Sequence, residues 1–375
     1  KATRFYAVRR KSNYYTVSYY LGNGSTNAAY QKLTQTVEEG TVVTFAKVPA
    51  RTGYVNQGWS SKKNSEKATA KAKCTVNKNI TLYAVQKKAV QLTFHRCDGS
   101  TWQKTTLAKG SSYSLPGVRD AEGYTFMGWS TKPMQSVSPQ YEAEEKITVN
   151  GNVDLYAVVF NRTTETDLTE DQLPQVDIYK YKQVIFVGDS RTEFMENVLT
   201  GMGESATKNV KFVCSAGKGL DWFTTTGWAQ LYSIVQHDSN SILSKKTAVI
   251  FNFGVNDLSK SADYAEYYNW IAPQLKSKGC ELYFMSVNPV NRLMLPNAGR
   301  ADRSEAAVRS FNQYMKANLS SAYTYIDMYS YLKSTGYSFA SDHYGTGTVD
   351  DGLHYTTRTY KRIFAKCMDS LRVPA

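Results

Sequence analysis

The sequence predicts an α/β fold with a doubly wound parallel sheet in its C-terminal part, preceded by two small β-rich modules. Three observations predict this organisation: a motif repeated within the first 160 residues, a polar segment at 161–175, and apolar runs alternating with helical patterns beyond it. With 375 residues, 42% of them hydrophobic, the chain has room for two or three packed domains.

The first 160 residues contain an internal repeat. The segment at 53–60, Gly-Tyr-Val-Asn-Gln-Gly-Trp-Ser, returns as Gly-Tyr-Thr-Phe-Met-Gly-Trp-Ser 70 positions later. Each copy is followed by an alternating strand pattern, at 80–85 and at 153–158. The composition, rich in Tyr, Val and Thr, favours β-rich modules with Trp59 and Trp129 in their cores, rather than a platform of exposed Trp side chains that binds sugar.

Domain boundaries follow from the repeat and from the polar segment, which is locally acidic and ends near Pro174. Residues 5–8 match the closing strand of the repeats, so we expect the chain to begin inside a preceding repeat of a longer protein. The predicted boundaries are 1–11 for the end of that preceding repeat, 12–89 and 90–160 for two repeats, 161–175 for a linker and 176–375 for the C-terminal domain.

The repeats resemble the Listeria–Bacteroides repeat, also called the internalin B-type repeat, through their two Gly-Trp-Ser motifs and the strands that follow them. This resemblance extends over nearly all of residues 1–160. It implies β-grasp-related modules that serve as a stalk or adhesive spacer. It also implies that the protein is secreted or displayed on the surface of a bacterium.

The net charge of +13 is concentrated in the N-terminal part. Residues 1–160 hold 22 Lys and Arg against 10 Asp and Glu, while the remaining residues are nearly neutral. Such a surface attracts anionic polymers, such as cell-wall polyanions, nucleic acid or acidic lipid headgroups, but it also fits a solvated Lys-rich face without a dedicated partner. No nucleic-acid-binding motif accompanies the charge, which disfavours specific nucleic-acid binding.

The sequence predicts neither a metal site nor a cofactor. Its five cysteines form no Cys-x-x-Cys pair and show no metal-ligand spacing with the four histidines. No apolar stretch of about 18 residues predicts a transmembrane helix.

Beyond residue 175, five apolar runs predict buried strands, and helical patterns lie between them, notably at 262–275 and 301–319. This alternation predicts a parallel sheet, in which ligands bind at the carboxyl ends of the strands. The predicted strands are 183–187, 210–214, 248–253, 282–287 and 323–326.

Ser190 and His354 lie in segments that suit nucleophilic catalysis. Ser190 follows the first predicted strand in Gly-Asp-Ser, so a strand-to-helix turn would expose its hydroxyl and its N–H. Asp351 precedes His354 by three positions, which allows its carboxylate to orient the imidazole as a general base. The loop at 339–348, which contains His343, is predicted to lead to this pair, with His343 solvated.

Two further strand ends supply hydrogen-bond donors. Asn256 follows the third strand and offers its side-chain amide, with Asp257 beside it to hold the loop. Gly217 and Gly219 follow the second strand, where a glycine lets the backbone approach a substrate and offer an N–H.

Together these four segments resemble the sequence blocks of the SGNH, or GDSL-type, hydrolases over residues 181–371. The resemblance implies a flavodoxin-like sheet, Ser190 as nucleophile, His354 as general base and Asp351 as its orienting partner. It further implies an oxyanion hole formed by the Ser190 N–H, the Gly219 N–H and the Asn256 side chain. Gly219 is preferred to Gly217 because its distance from the strand fits the family better.

Three residues are candidate substrate contacts: Arg191, Trp222 and Asp257. Arg191 replaces the Leu that usually follows the family's Ser, and it either anchors an anionic group of the substrate or is solvated or salt-bridged at the helix start. Trp222 follows the Gly219 loop and either stacks on a sugar ring or packs.

These features together predict an extracellular esterase that removes acyl groups, with O-acetyl the expected group, from a carbohydrate or cell-wall polymer. An acyl transferase on the same scaffold is one alternative, since a sugar hydroxyl can resolve an acyl-enzyme in place of water. A protein that acts chiefly as an adhesin through its repeats, with a minor or inactive hydrolase domain, is the other.

Overall fold

The computed structural model describes residues 3–4, 6, 11–177, 180–236, 246–295, 303–340 and 351–371. The predicted end of a preceding repeat and the loop around His343 lie largely outside the described residues. Within these ranges, no helix combines the length and the apolar character that are needed to cross a bilayer.

The N-terminal part is built from short strands, as the repeat predicts. In the first repeat, β1 runs parallel to β6 and antiparallel to β2, and β4 pairs antiparallel with β6. In the second repeat, β9 pairs antiparallel with β11. The elements are β1 (Tyr14–Tyr20), α1 (Ala28–Gln31), β2 (Gln35–Glu38), β3 (Val42–Thr44), β4 (Tyr54–Ser60), β5 (Lys73–Thr75), β6 (Ile80–His95), β7 (Thr101–Ala108), β8 (Ser111–Ser114), β9 (Tyr124–Ser130), β10 (Lys146–Val149) and β11 (Val153–Asn161).

The two Trp side chains of the repeated motif are core residues. Trp59 is 5% exposed, and its indole N–H donates to the carbonyl of Ala46 at 2.6 Å. Trp129 is fully buried, and its indole N–H donates to the carbonyl of Pro116 at 2.8 Å. Both acceptors lie the same distance upstream in sequence, so the repeat preserves this packing, and the prediction of buried Trp side chains is confirmed.

A five-stranded parallel sheet forms the centre of the C-terminal domain and confirms the predicted α/β fold. Its strands are β12 (Tyr181–Gly188), β13 (Val210–Cys214), β14 (Lys246–Asn252), β15 (Cys280–Met285) and β16 (Tyr323–Ile326). They lie in the order β13-β12-β14-β15-β16, with every neighbouring pair parallel. This is the flavodoxin-like order, in which the chain reverses its direction of winding between β12 and β14.

Helices cover both faces of this sheet, each against its own buried apolar cluster. The predicted helices at 262–275 and 301–319 are confirmed within the described residues. The helical segment that runs from 220 to 236 through a π-helical turn was not predicted. The helices are α2 (Ser190–Met202), α3 (Leu220–Trp222), α4 (Trp228–Gln236), α5 (Ser261–Ser277), α6 (Glu305–Asn318), α7 (Met328–Thr335) and α8 (Thr357–Ser370).

The chain divides into two compact units whose border runs through the second repeat. This border differs from the predicted one, because apolar side chains of the second repeat, including Met127 and Phe160, belong to the same buried cluster as α2 and α8. The first unit consists of Lys1–Thr93, Trp102–Tyr113 and Ile147–Asp154, and the second of Phe94–Thr101, Ser114–Lys146 and Leu155–Ala375.

The segment predicted as a linker, 161–175, is more closely packed than its polar composition indicates. Glu165 is buried, and its carboxylate accepts hydrogen bonds from Ser338, Thr359 and Arg362. Leu173 contributes to the apolar cluster beneath α8. A polar segment can lie against a domain in this way when its buried charged groups are matched by partners, which composition alone does not reveal.

Candidate active site

Ser190 occupies the junction between the central strand β12 and helix α2. The strand ends in Gly188, and Asp189 caps the helix by accepting a hydrogen bond from the N–H of Arg191 at 3.0 Å. Ser190 is the first helical residue, so its own N–H has no carbonyl one turn earlier in the helix to bond. The junction thus places a hydroxyl and an N–H together at the carboxyl end of the sheet.

Glycine at position 188 is required by close packing. A Cβ atom there would lie 2.8 Å from the carbonyl oxygen of Asn252 on β14 and 2.0 Å from the hydroxyl of Thr192. The absence of a side chain therefore lets α2 begin directly against the neighbouring strand.

His354 connects the nucleophile candidate to Asp351. Its Nε2 lies 2.9 Å from the Ser190 Oγ, and its Nδ1 lies 2.6 Å from the Asp351 Oδ2. A carboxylate only accepts hydrogen bonds, so Nδ1 donates to Asp351 and Nε2 is left to accept the Ser190 O–H. All three side chains are buried, which strengthens the electrostatic interactions within the set.

Asp351 is held by the backbone that follows it. Its Oδ1 accepts hydrogen bonds from the N–H groups of Leu353 at 2.8 Å and His354 at 2.7 Å. The imidazole also packs against Phe194 of α2, with ring centroids 4.5 Å apart. The spacing of Asp351 and His354 therefore produces a tight turn in which one carboxylate orients both the backbone and the ring.

Asn256 is fixed on two sides. Its Nδ2 donates to the carbonyl of Lys218 at 2.7 Å, and its Oδ1 accepts from the Arg303 guanidinium at 2.5 Å. Arg303 can only donate, so the amide oxygen must face it and the amide nitrogen must face the 218–220 turn. The nitrogen carries two hydrogens, and the Lys218 carbonyl takes one of them.

Arg303 was not predicted from the sequence. It lies just before α6 in a segment with no recognisable motif, and it is 8% exposed. Its contact with Asn256 joins residues 47 positions apart in sequence, so only the fold reveals it.

The structure places Asp257 in the loop-holding role that the sequence predicts, and its role as a substrate contact stays a prediction. Its two carboxylate oxygens accept hydrogen bonds from the N–H of Leu220 at 2.9 Å and the hydroxyl of Tyr264 at 2.7 Å. A Cβ atom on Gly219 would lie 2.3 Å from the same carboxylate, so only glycine fits there. Asp257 therefore holds the Gly219 turn, and burial raises the pKa of its carboxyl group.

Arg191 differs from the prediction of a substrate anchor. It is 2% exposed, and its guanidinium donates to the carbonyls of Leu353, Asn288 and Pro289 at 2.9–3.0 Å. The alternative of a solvated or salt-bridged side chain does not describe it either. Arg191 instead fastens the start of α2 to the loop that carries His354.

Asp189 lies in the same buried region. Burial raises the pKa of its carboxyl group to about 6, against the opposing effect of Arg191 and Arg303.

Trp222 is half-buried at the end of α3 and contacts Phe253, with ring centroids 6.0 Å apart. This position is compatible with packing and leaves sugar stacking a prediction.

Among the residues that the structure describes, no group of three or more His, Cys, Asp or Glu side chains is arranged to hold a metal ion. Ser190, His354 and Asp351 bring a hydroxyl, an imidazole and a carboxylate into hydrogen-bond contact, and the neighbouring strand end of β14 leads to the Asn256 amide. Such groups support acyl transfer by a serine nucleophile.

Comparison with known families divides the chain as the motifs do. Residues 15–85 and 91–158 match the Listeria-Bacteroides repeat domain, and residues 184–367 match the GDSL-like lipase/acylhydrolase family. The comparison with curated proteins found no match. The two family matches cover the same parts of the chain as the two resemblances drawn from the sequence.

Several solved structures are similar to the C-terminal part. A proposed acylhydrolase from Bacteroides fragilis is 16% identical, with 54% of this chain and 93% of that chain covered and a TM-score of 0.33. A catalytic mutant of an acetylxylan esterase from Geobacillus stearothermophilus is 12% identical, with coverages of 52% and 96% and a TM-score of 0.32. The C-terminal catalytic domain of peptidoglycan O-acetyltransferase A from Streptococcus pneumoniae is 16% identical, with coverages of 51% and 92% and a TM-score of 0.30.

Proposed function

We propose, on the premise that residues 184–367 belong to the GDSL-like lipase/acylhydrolase family, that this hydrolase cleaves acyl esters with Ser190 as its nucleophile. The observation that carries the proposal is the unbroken line of hydrogen bonds from Ser190 through His354 to Asp351. A hydroxyl alone is a weak nucleophile at neutral pH, and an adjacent oriented base activates it.

In the first half of the reaction, the Ser190 Oγ attacks the ester carbonyl while His354 Nε2 takes the hydroxyl proton. Asp351 stabilises the imidazolium through Nδ1. When the tetrahedral intermediate collapses, His354 returns the proton to the departing alcohol and the acyl group remains on Ser190. Water then attacks this acyl-enzyme, with His354 as the base, and releases the acid and the free serine.

The oxyanion of each tetrahedral intermediate needs donors that are already in place. We assign this role to the N–H groups of Ser190 and Gly219 and to the amide of Asn256. Asp257 holds the Gly219 turn. Arg303 binds the oxygen of the Asn256 amide, so the amide nitrogen faces the Gly219 turn. The positive charge of Arg303 adds to the stabilisation of negative charge nearby.

Hydrolysis of p-nitrophenyl acetate by the full chain tests the nucleophile. Ser190→Ala is expected to reduce kcat by at least about 10³-fold, because no other group takes over the covalent step. Ser233→Ala removes a hydroxyl from the exposed face of α4 and should leave the rate unchanged. Full activity in Ser190→Ala would exclude the proposed nucleophile.

For the natural substrate, we propose an O-acyl group, O-acetyl above all, on a carbohydrate or cell-wall polymer outside a bacterial cell. The proposal is supported by the repeats, whose family is typical of bacterial surface proteins, and by the excess of 12 positive charges in residues 1–160. A basic module of this kind would hold the enzyme on an anionic polymer.

Acetate release from acetylated polysaccharides and from peptidoglycan tests the substrate class. Wild-type protein is expected to release acetate from at least one of them, and Ser190→Ala from none. Salt should weaken retention on the polymer without lowering the rate on p-nitrophenyl acetate, because screening affects the charged repeats more than the buried site. Transfer of the acyl group to an added polyol, rather than to water, would instead identify a transferase.

A further inference from the structure

We infer that the second repeat positions the catalytic His354 loop, with Asn291 as the residue that transmits its support. This inference rests on the proposed function. Residues 288–294, here called the strap, lie between residues 351–354 and residues 114–146 of the second repeat, here called the docked segment. All of these residues belong to the same compact unit.

On one side, the strap is bonded to the catalytic loop. The backbone N–H of Asn291 donates to the carbonyl of Gly352 at 2.8 Å. Gly352 has a φ of +63°, and a Cβ atom on it would lie 2.4 Å from the carbonyl oxygen of Asn291. Gly352 lies between Asp351 and His354, so the strap directly contacts the turn that orients the imidazole.

Arg191 joins the same two segments from the side of the nucleophile. Its guanidinium donates to Asn288 and Pro289 of the strap and to Leu353 of the catalytic loop. The hydroxyl of Tyr355 also donates to the carbonyl of Pro289 at 2.5 Å. The position of the strap is therefore coupled to both Ser190 and His354.

On its other side, the strap is bonded to the docked segment through the side chains of Asn291 and Arg292, and the Arg292 guanidinium lies 3.2 Å from the Glu144 carboxylate. The Asn291 Nδ2 donates to the Asp120 Oδ1 at 2.9 Å and to the carbonyl of Val118 at 3.1 Å. Asp120 is itself fixed, since it accepts hydrogen bonds from the Arg162 guanidinium at 2.7 Å and the N–H of Phe126 at 3.0 Å. Asp120, to which Asn291 donates, is thus held in place by Arg162 and by the backbone of Phe126.

The docked segment is held to the hydrolase core by a buried charge cluster. The Lys333 ammonium lies 2.9 Å from Glu142 of the docked segment and 3.0 Å from Glu305 of α6, and it donates to the carbonyl of Met127 at 2.8 Å. Arg309 of α6 donates to the carbonyl of Ala143 at 2.9 Å. A segment fixed in this way can support a neighbouring loop.

The expected role is positional because Asn291 acts through the loop and not on the substrate. A displacement of about 1 Å in a catalytic group can cost about 10²-fold in rate. Loosening the strap should therefore lower kcat, through the geometry of His354, and leave KM nearly unchanged.

The test measures p-nitrophenyl acetate hydrolysis by full-chain variants. Asn291→Asp would place two carboxylates against each other and should lower kcat about tenfold or more, with KM within about twofold. Asn291→Ala removes the anchor without adding charge and should give a smaller loss of kcat. In the double variant Asn291→Asp/Asp120→Asn the amide and the carboxylate exchange places, and kcat should recover at least about threefold over Asn291→Asp.

Asn269→Asp provides the matched control. It makes the same side-chain change in α5, where Asn269 donates to the carbonyl of Asn318 at 2.9 Å and bonds neither the strap nor the docked segment, so it should lower Tm and keep kcat. Wild-type kcat in Asn291→Asp, or no recovery in the double variant, would overturn the inference. Equal rates for wild type and Ser190→Ala would instead contradict the proposed function. Failure of the proposed function can therefore be distinguished from failure of the role inferred for Asn291.

Discussion

Asp189 stands beside Ser190, the proposed nucleophile, with its carboxyl group almost wholly removed from water. Its capping bond to the Arg191 N–H needs only an oxygen acceptor, which an amide supplies equally well. A buried charge that is not required for the cap costs stability, and it persists where function benefits from it. One such function is to moderate the positive charge of Arg191 and Arg303 near the site.

Asp189→Asn should therefore stabilise the protein at alkaline pH. The folded-state pKa of Asp189, about 6, lies above its ordinary value near 4. The stability contributed by this group is thus fully present below about pH 4 and is lost as pH rises to about 6. Urea unfolding of Asp189→Asn should show a gain of roughly 1–3 kcal/mol at pH 8 and almost none at pH 4.

The exposed cap Asp327 of α7 offers a control for this comparison. Asp327→Asn preserves the same kind of capping bond without relieving a buried charge, so its effect should be small at both pH values. A loss of stability in Asp189→Asn at pH 8 would contradict the interpretation.

At the scale of elements, the junction of β12 and α2 determines where Ser190, the proposed nucleophile, lies. The chain reverses its direction of winding between β12 and β14, which opens a crevice at the carboxyl ends of these two strands. Ser190 follows β12, and Asn256 follows β14. The topology therefore places Ser190 and Asn256 at the same edge of the sheet, and Gly188 allows the helix to start within contact of the neighbouring strand.

Gly188→Ala should disrupt this junction. The added methyl group would meet the Asn252 carbonyl, which belongs to the sheet and cannot give way easily. We expect a loss of about 1–3 kcal/mol in the free energy of unfolding together with reduced kcat on p-nitrophenyl acetate. Gly201→Ala, also in α2 but with no neighbouring atom within 4 Å, should instead stabilise the helix by up to about 1 kcal/mol. Equal effects of the two changes would refute the packing argument.

The strands and the candidate residues Ser190, Asp351 and His354 could be predicted because each belongs to a local sequence pattern. Apolar runs mark buried parallel strands, Ser190 comes directly after the first of them, and Asp351 and His354 lie three positions apart. The helical segment from 220 to 236 was missed because Thr224, Thr225 and Thr226 are poor helix formers, and tertiary packing of Phe223 and Leu231 overrides that preference. Local sequence contains no record of such packing.

The roles of Arg191 and Arg303 could not be predicted for a different reason. Both side chains are buried and donate hydrogen bonds to groups far away in sequence. An Arg beside a nucleophile suggests an anion site, but three backbone carbonyls that converge on it satisfy the same donors. Which of the two applies depends on where the strap runs, and the sequence does not specify that path.

At the scale of the whole molecule, Lys333 links the second repeat to the hydrolase core. Burial by itself would lower the pKa of Lys333, but the carboxylates of Glu305 and Glu142 raise it above the usual range. The ammonium group therefore stays charged in the folded protein. Its partners Glu142 and Glu305 lie 163 positions apart in sequence, so the cluster forms only when both parts of the compact unit have folded.

Lys333→Met is expected to destabilise the protein by about 3–5 kcal/mol, because it removes the ammonium group that pairs with two buried carboxylates. Burial already raises the pKa of Glu142, so protonation should relieve part of this loss as pH falls. Urea unfolding at pH 8 and at pH 5 measures both effects. Lys276→Met, on the exposed face of α5, should change stability little, and a similarly small effect of Lys333→Met would show that the cluster contributes little.

Phe160 rests on Gly336, where even a methyl group would fall 2.3 Å from its ring. A recombinant fragment that begins at residue 176 would retain the parallel sheet and the proposed catalytic residues, yet it would lack this ring and the carboxylate of Glu142. The fragment would expose the apolar surface around Gly336 that Phe160 covers, and Lys333 would lose the carboxylate of Glu142. Both changes promote self-association. The smallest portion of this protein that can be purified as a well-behaved enzyme therefore includes part of what the sequence marks as a stalk.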